Sequence, residues 1–127
     1  MMLDELMLYV EDPYRVAEFW KKNFGFIENI TKEEGILKIE LRPHASAETK
    51  LILFERAVIA KLQPELNLNT PSMLFGVSKG ELEPLFEMIQ ANGVKVGQLV
   101  TTPGGMRVFN FADPEGNYFA VRELGDR

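Results

Sequence analysis

The chain contains no cysteine, and this absence excludes several kinds of chemistry at once. Thiol catalysis, disulfide bridges and thiolate metal sites all need a cysteine sulfur. A chain without disulfides is compatible with a reducing cytoplasm. Histidine is almost absent as well, since His44 is the single one in the sequence. It lies in a loop-like stretch, where a solvated side chain is the more common interpretation and a general base over a binding groove is the other.

Long apolar runs and basic clusters are also missing. No run approaches the ~18 residues of a membrane span, and residues 1–5 carry acid where a secretory signal needs a basic region. The 14 basic and 19 acidic side chains give a net charge of −5, and Lys21-Lys22 is the only adjacent basic pair. We therefore expect a soluble cytoplasmic protein without nucleic-acid or membrane partners. An acidic chain accommodates a cationic or neutral ligand more easily than a polyanion.

What is present is a pattern of short strands and amphipathic helices. At 127 residues the chain fits one domain. Residues 3–10 are strand-like, and Asp12-Pro13 then offers an N-cap and a proline at the first helical position. Gly25 ends this helix. Strands are predicted over residues 26–30, 36–41 and 50–54, with a polar turn at 31–35.

The same order of elements begins again after a connector. A strand over residues 72–77 leads to Ser78 and Glu81, which form a capping-box pattern, and Asn92-Gly93 ends the helix that follows. Strands are predicted over residues 94–100, 106–111 and 118–123. Residues 102–105 resemble a phosphate loop but precede a strand, so residues 101–105 are predicted to form a hairpin turn instead.

The two halves thus form a repeat of two β-α-β-β-β modules. Met7-Leu8-Tyr9 aligns with Met73-Leu74-Phe75, and Gly25-Phe26 with Gly93-Val94. We place module 1 at about residues 3–55, the connector at 56–71 and module 2 at about 72–124. One module cannot bury both its helix and its sheet, so two must pair within one chain or across a dimer. The predicted fold is α+β: curved mixed sheets around a concave groove, with helices outside.

The segment Asp113-Pro114-Glu115-Gly116-Asn117 predicts a tight turn between two apolar strands. Pro114 restricts φ, Asp113 can accept bonds from the backbone, and Gly116 tolerates positive φ. Together with the two modules, Asp12-Pro13 and Phe19-Trp20 before Phe24-Gly25-Phe26, this turn resembles the vicinal-oxygen-chelate superfamily. That group includes glyoxalases, ring-cleaving dioxygenases, fosfomycin-resistance enzymes and bleomycin-binding proteins. The resemblance implies a fold, and it does not specify a reaction.

The resemblance also implies four positions for metal ligands, which enzymes of this group usually occupy with His, Glu or Gln. Here these positions hold Glu5, Leu53 or a neighbour, Ser72, and Ala120, which lies seven residues beyond Asp113. Leucine and alanine supply no lone pair, so we predict no metal and no other cofactor. A different register would make Glu55 or Glu123 ligands.

The same resemblance places nine residues in a ligand-binding groove: Glu5, Met7, Tyr9, Leu53, Ser72, Leu74, Val108, Asn110 and Arg122. Glu5 is a better candidate for a general acid or base than His44, and an exposed or salt-bridged residue is the equally favoured alternative interpretation of Glu5. Asn110 and Arg122 either bond a ligand or pair structurally, for example Arg122 with Glu5. The methionines on the predicted strands serve either as core filler or as adaptable pocket walls.

These observations favour a homodimeric protein that binds a small organic molecule, such as a cationic antibiotic, without transforming it. The alternative is an enzyme of the same superfamily, of lyase or dioxygenase type. It would use a metal held by unrecognised ligands, or Glu5 as acid or base. A third hypothesis is a groove closed by side chains and a role in interaction alone.

Overall fold

The computed structural model describes residues 4–64, 68–69, 73–102 and 105–125. The chain divides into two compact units, Met1–Thr70 and Pro71–Arg127. Each unit contains one four-stranded mixed sheet, and three helices occur in the described residues. The predicted α+β class with two mixed sheets is confirmed. None of these helices is both long enough and apolar enough to cross a membrane.

The first unit is built on β1 (Glu5–Val10), α1 (Pro13–Phe24), β2 (Ile27–Glu33), β3 (Ile36–Arg42), β4 (Lys50–Glu55) and α2 (Arg56–Leu62). Its strands lie in the order β1-β4-β3-β2, with β1 and β4 parallel and the other neighbours antiparallel. α1 contacts β3 and β4. The core consists mainly of buried side chains from these elements: Leu8, Val10, Val16, Ala17, Trp20, Ile39, Leu41, Leu51 and Leu53.

The predicted limits of α1 are confirmed and have local causes. The Asp12 carboxylate accepts a hydrogen bond from the Arg15 amide at 3.2 Å, which satisfies one of the free N–H groups of the first turn. Pro13 occupies the first helical position. Gly25 ends the helix with a φ of 69°, and its amide donates to the Lys21 carbonyl at 3.0 Å.

The second unit is built on β5 (Met73–Val77), α3 (Leu82–Ala91), β6 (Val100–Thr101), β7 (Arg107–Ala112) and β8 (Tyr118–Glu123). The strand order is β5-β8-β7-β6, with β5 and β8 parallel. The buried side chains of this unit include Met73, Leu82, Ile89, Phe109, Phe111, Phe119 and Val121. Aromatic pairs hold the core together: Phe86 meets Phe109 with ring centroids 5.1 Å apart, and Phe111 meets Phe119 at 5.5 Å.

The predicted turn between β7 and β8 is confirmed. The Asp113 carboxylate is buried and accepts hydrogen bonds from the Glu115 amide at 3.0 Å and the Asn117 amide at 2.9 Å. The Asn117 side-chain amide donates to its other oxygen at 2.9 Å. Burial raises the pKa of the Asp113 carboxyl, and these hydrogen bonds oppose the rise. The Asp113 side chain thus accepts three hydrogen bonds within the turn, beside the backbone bonds that close it.

Three local predictions were wrong. Residues 94–100 do not form a continuous strand, because Val96 pairs with Phe111 in an isolated bridge and Val100 pairs with Val108. Between these two pairs, this segment contains one residue more than the facing part of β7. The extra residue interrupts the ladder in the manner of a β-bulge. The capping box is absent: α3 begins after Glu81 with no side-chain cap.

The third error concerns the hairpin between β2 and β3. Both strands continue to the turn, where Glu34 and Gly35 have φ values of 53° and 80°. Two successive residues with positive φ are typical of the tightest hairpin turns, so residues 31–33 belong to β2. In addition, α2 occupies the beginning of the segment that the sequence analysis treats as a connector.

Candidate functional site

The first sheet has one face turned away from its core, and β1 contributes three of the predicted groove residues to it. Side chains alternate along a strand, so Glu5, Met7 and Tyr9 lie opposite the buried Leu8 and Val10. Met7 is 39% exposed. The Tyr9 ring stacks beside Phe54 of β4 with centroids 6.3 Å apart. This face therefore presents a thioether and two aromatic rings.

Glu5 forms an ion pair on this face. Its Oε1 lies 3.5 Å from Nζ of Lys38, which belongs to β3, and both side chains are partly buried. The structure thus gives Glu5 a salt bridge, which agrees with the interpretation of Glu5 as an exposed or salt-bridged residue. The partner is Lys38, whereas the sequence analysis suggested Arg122.

Leu53 requires a correction. It is in register with Leu8 on β1 and Ile39 on β3, and all three side chains are 0% exposed. Leu53 therefore belongs to the core and cannot line a groove on the face of Met7. The face positions of β4 are those of its neighbours, Ile52 and Phe54, because Ile52 is in register with Met7.

The second sheet carries four of the predicted groove residues, Leu74, Val108, Asn110 and Arg122, on one face. Leu74, Ala120 and Asn110 are in register across β5, β8 and β7, and Arg122 is in register with Val108. This row alternates with the buried phenylalanines of β7 and β8. Leu74 is 53% exposed. Ser72, the other predicted groove residue of this unit, lies outside the described residues.

Each unit also has a recess associated with its sheet. In the first unit a recess of about 430 Å³ is lined by Glu33, Glu34, Ile36, Lys38 and Phe54. In the second unit a recess of about 380 Å³ is lined by Lys79, Gly105, Met106, Arg107, Arg122, Glu123, Leu124 and Gly125. The first contains two carboxylates and one ammonium group, whereas the second contains three cationic side chains and one carboxylate.

His44 is exposed and has a local contact. Its Nδ1 lies 3.1 Å from Oγ of Ser46, two residues further along the loop between β3 and β4. This geometry agrees with the interpretation of His44 as a solvated loop residue.

The model of the Glyoxalase/Bleomycin resistance protein/Dioxygenase superfamily matches residues 2–121. The chain belongs to this superfamily. No curated protein sequence matches the chain significantly.

Solved structures with the same fold include members of this superfamily with different roles. TnmS3, an antibiotic binding protein from Streptomyces sp. CB03234, gives a TM-score of 0.80 at 19% identity over 98% of this chain and 97% of that chain. Lactoylglutathione lyase from Agrobacterium tumefaciens gives 0.77 at 20% identity over 96% and 92% of the two chains. A superfamily member from Sphaerobacter thermophilus DSM 20745 gives 0.76 at 17% identity over 98% of each. At these identities the likeness shows the fold alone.

Of the four metal-ligand positions that the resemblance implies, the structure describes three, and these three do not fit a metal. Of those that the structure describes, Glu5 is paired with Lys38, Leu53 is buried in the core and Ala120 has no donor atom. In the described part of the chain, no three His, Asp or Glu side chains come together as a metal site would require.

The alternative register also fails to build a metal site. Glu55 is in register with Val10, and Glu123 with Val77. Glu55 therefore lies on the sheet face opposite to that of Glu5, and Glu123 lies on the face opposite to that of Ala120. Glu123 is instead 3.7 Å from Nη1 of Arg107.

Sequence reasoning did not name Phe54 or Lys38, and it treated Met106 only as one of the strand methionines that serve as core filler or pocket walls. Phe54 follows Leu53 by one residue. It would have been identified if Ile52 and Phe54, and not Leu53, had been assigned to the groove face of β4. Lys38 alternates with Leu37 and Ile39 on a strand whose apolar side chains mark the core face, so a period-two reading could have identified it. Met106 precedes β7, and no local pattern connects it with Arg122.

Proposed function

We propose that this superfamily member binds a small organic molecule on the sheet faces opposite its two cores, without the usual set of metal ligands. The observation that carries the proposal is the exposure of apolar side chains on these faces, with Met7 39% and Leu74 53% exposed. The Tyr9–Phe54 pair adds aromatic surface in the first unit. Small-molecule sites are lined mainly by such groups with a few polar ones for orientation. A bound organic ligand would cover this surface.

The charge distribution supports a cationic group in the ligand of the first unit. The net charge is −5, and Glu33 and Glu34 line the recess that also contains Phe54. A cation there is attracted by the carboxylates and by the face of an aromatic ring. The antibiotic binding of TnmS3 makes cationic, partly aromatic antibiotics a reasonable first class to test.

We further propose that the chain forms one domain and a cytoplasmic homodimer, with a joint groove formed by the paired modules. Each module has exposed apolar surface on its sheet, and pairing is the usual way for a repeat to bury it. Light scattering coupled to gel filtration measures the mass, and a dimer of about twice 14.5 kDa is expected. A monomer at micromolar concentration would contradict the dimer without contradicting ligand binding.

The binding proposal is tested by a thermal-shift screen followed by calorimetry. Cationic and aromatic natural products are added to the purified full chain, and at least one is expected to raise the melting temperature in a saturable way. Met7→Ala should weaken the binding of that compound severalfold. Met88→Ala is the matched control, because Met88 is 46% exposed and lies on α3. No stabilisation by any compound, or equal weakening by both substitutions, would contradict the proposal.

A metal-dependent or acid–base enzyme is the competing candidate, and Glu5 on the exposed face is the observation that favours it. Metal analysis of the purified protein separates the two. A stoichiometric divalent ion, whose removal by a chelator lowers stability, would contradict the proposal of a protein without metal ligands and favour the metal-dependent enzyme. For the metal-free version, any turnover found must be lost in Glu5→Gln, and turnover that persists in this variant would exclude Glu5 as the acid or base.

A further inference from the structure

We propose that the recess beside Arg122 in the second unit is a binding site for an anionic group, a carboxylate or a phosphate, carried by a small molecule. The inference rests on the proposed function and deepens it for the second unit, because Arg122 lies on the same sheet face as Leu74 and the ligand group has a charge opposite to that expected for the first unit. The recess has a volume of about 380 Å³.

Two of the charged groups around this recess, Arg107 and Glu123, already have polar partners. Arg107 contacts Glu83 through Nη2 and lies 3.7 Å from Glu123 through Nη1. Glu123 also accepts a hydrogen bond from the Gly80 amide at 3.4 Å. The positive charge of Arg107 is therefore balanced by carboxylates, and the carboxylate of the recess is itself engaged.

Arg122 is in a different environment. Its Nη1 donates to Sδ of Met106 at 3.9 Å, and among the described residues no carboxylate lies within ion-pair distance of its guanidinium. A thioether is a weak acceptor, and a guanidinium has five N–H donors. Arg122 is half-buried, so its charge is only partly solvated. An unbalanced cation that is partly removed from water attracts an anion.

On the β5 side, an apolar side chain that lines the same recess lies beside Arg122. The residue in register with Arg122 there is Gly76, which has no side chain. The Leu124 side chain packs over this glycine so closely that a Cβ at position 76 would lie 2.8 Å from its Cδ2. Leu124 therefore forms an apolar wall of the recess, and the guanidinium forms its polar wall. A carboxylate or phosphate on an organic molecule matches both walls, since Arg binds such groups through two parallel hydrogen bonds.

The test uses the purified full chain and four probes at constant ionic strength: benzoate, its neutral methyl ester, phenyl phosphate and inorganic phosphate. Binding is followed by NMR through the side-chain Nε–Hε signal of Arg122 and by calorimetry. We expect a saturable shift with at least one anion and no shift with methyl benzoate. Benzoate and the two phosphates are titrated separately. The anion that binds with the higher affinity identifies whether the site prefers a carboxylate or a phosphate.

The variants are Arg122→Met, Arg122→Lys and the matched control Arg15→Met, which removes the same charge from an exposed position on α1. Arg122→Met should lose at least about tenfold in anion affinity, and Arg15→Met should bind like the wild type. Arg122→Lys should retain weaker binding, because lysine keeps the charge without the planar donor pair.

Equal affinity of Arg122→Met and wild type, or an equal loss in Arg15→Met, would overturn the proposal. If Arg122→Met fails to fold, the Nε–Hε titration of the wild type decides, and an unmoved signal at saturating anion overturns the inference. These outcomes are independent of the screen with cationic compounds, which tests the first unit through Met7.

Discussion

Replacing Leu8 with alanine tests which face of β1 packs against the core. Leu8 is 0% exposed and lies in register with the equally buried Leu53. Removing its three outer carbon atoms forfeits their burial and leaves a cavity, because the surrounding sheet and helix relax only partly. We expect the free energy of unfolding to fall by about 3 kcal/mol.

This magnitude converts into a measurable shift of the melting temperature. With about 2.1 cal/mol/K of unfolding entropy per residue, the chain of 127 residues has roughly 0.27 kcal/mol/K at its midpoint. The expected decrease in melting temperature is therefore about 11 °C. Calorimetry or circular dichroism measures it, and urea unfolding should show a lower midpoint with an unchanged slope.

Met7→Ala is the matched control on the same strand. Met7 follows the opposite alternation and is 39% exposed, so its truncation should cost about 1 kcal/mol or less. Equal losses in the two variants, or a larger loss in Met7→Ala, would refute the assignment of the two faces. It would also remove the argument that the face of Met7 is available to a ligand.

Two further predictions concern a titrating side chain and a helix end. Burial raises the pKa of the Asp113 carboxyl above 3.8, so its contribution to stability is fully present below that value and is lost as the pH rises through the folded-state pKa. The unfolding free energy of the wild type relative to Asp113→Asn should therefore decrease in urea titrations as the pH rises from below to above the folded-state pKa, and a difference that grows with pH would contradict this. Gly25→Ala should cost about 1 kcal/mol, because φ at this position is 69° and no atom within 4 Å of the new Cβ adds a clash. Gly97→Ala, where φ is not positive and the contacts are ordinary, should cost less in the same unfolding assay, and equal costs would show that the backbone conformation is not the cause.

The candidate site was only partly predictable from the sequence. Glu5, Met7 and Tyr9 could be assigned to one face, because polar or half-exposed positions alternate with buried ones on β1. The same reasoning failed on β4, where residues 51–53 are all buried and give no alternation. Only the register with β1 shows that Leu53 shares the core face of Leu8. When a strand is buried on both faces, its sequence alone does not show which side chains face the core.

The sequence by itself determined the elements whose signals are local. The start and end of α1 depend on Asp12 and Gly25, and the turn before β8 depends on Asp113, which bonds to groups no more than four residues away. The tertiary structure decided the bulge before β6, because it depends on how that segment aligns with β7. It also decided the pairing of Glu5 with Lys38 and the contact of Arg122 with Met106, each of which joins different strands or the segments beside them. Local bonds are specified by spacing along the chain, whereas contacts between strands are specified by register, which only the assembled sheet defines.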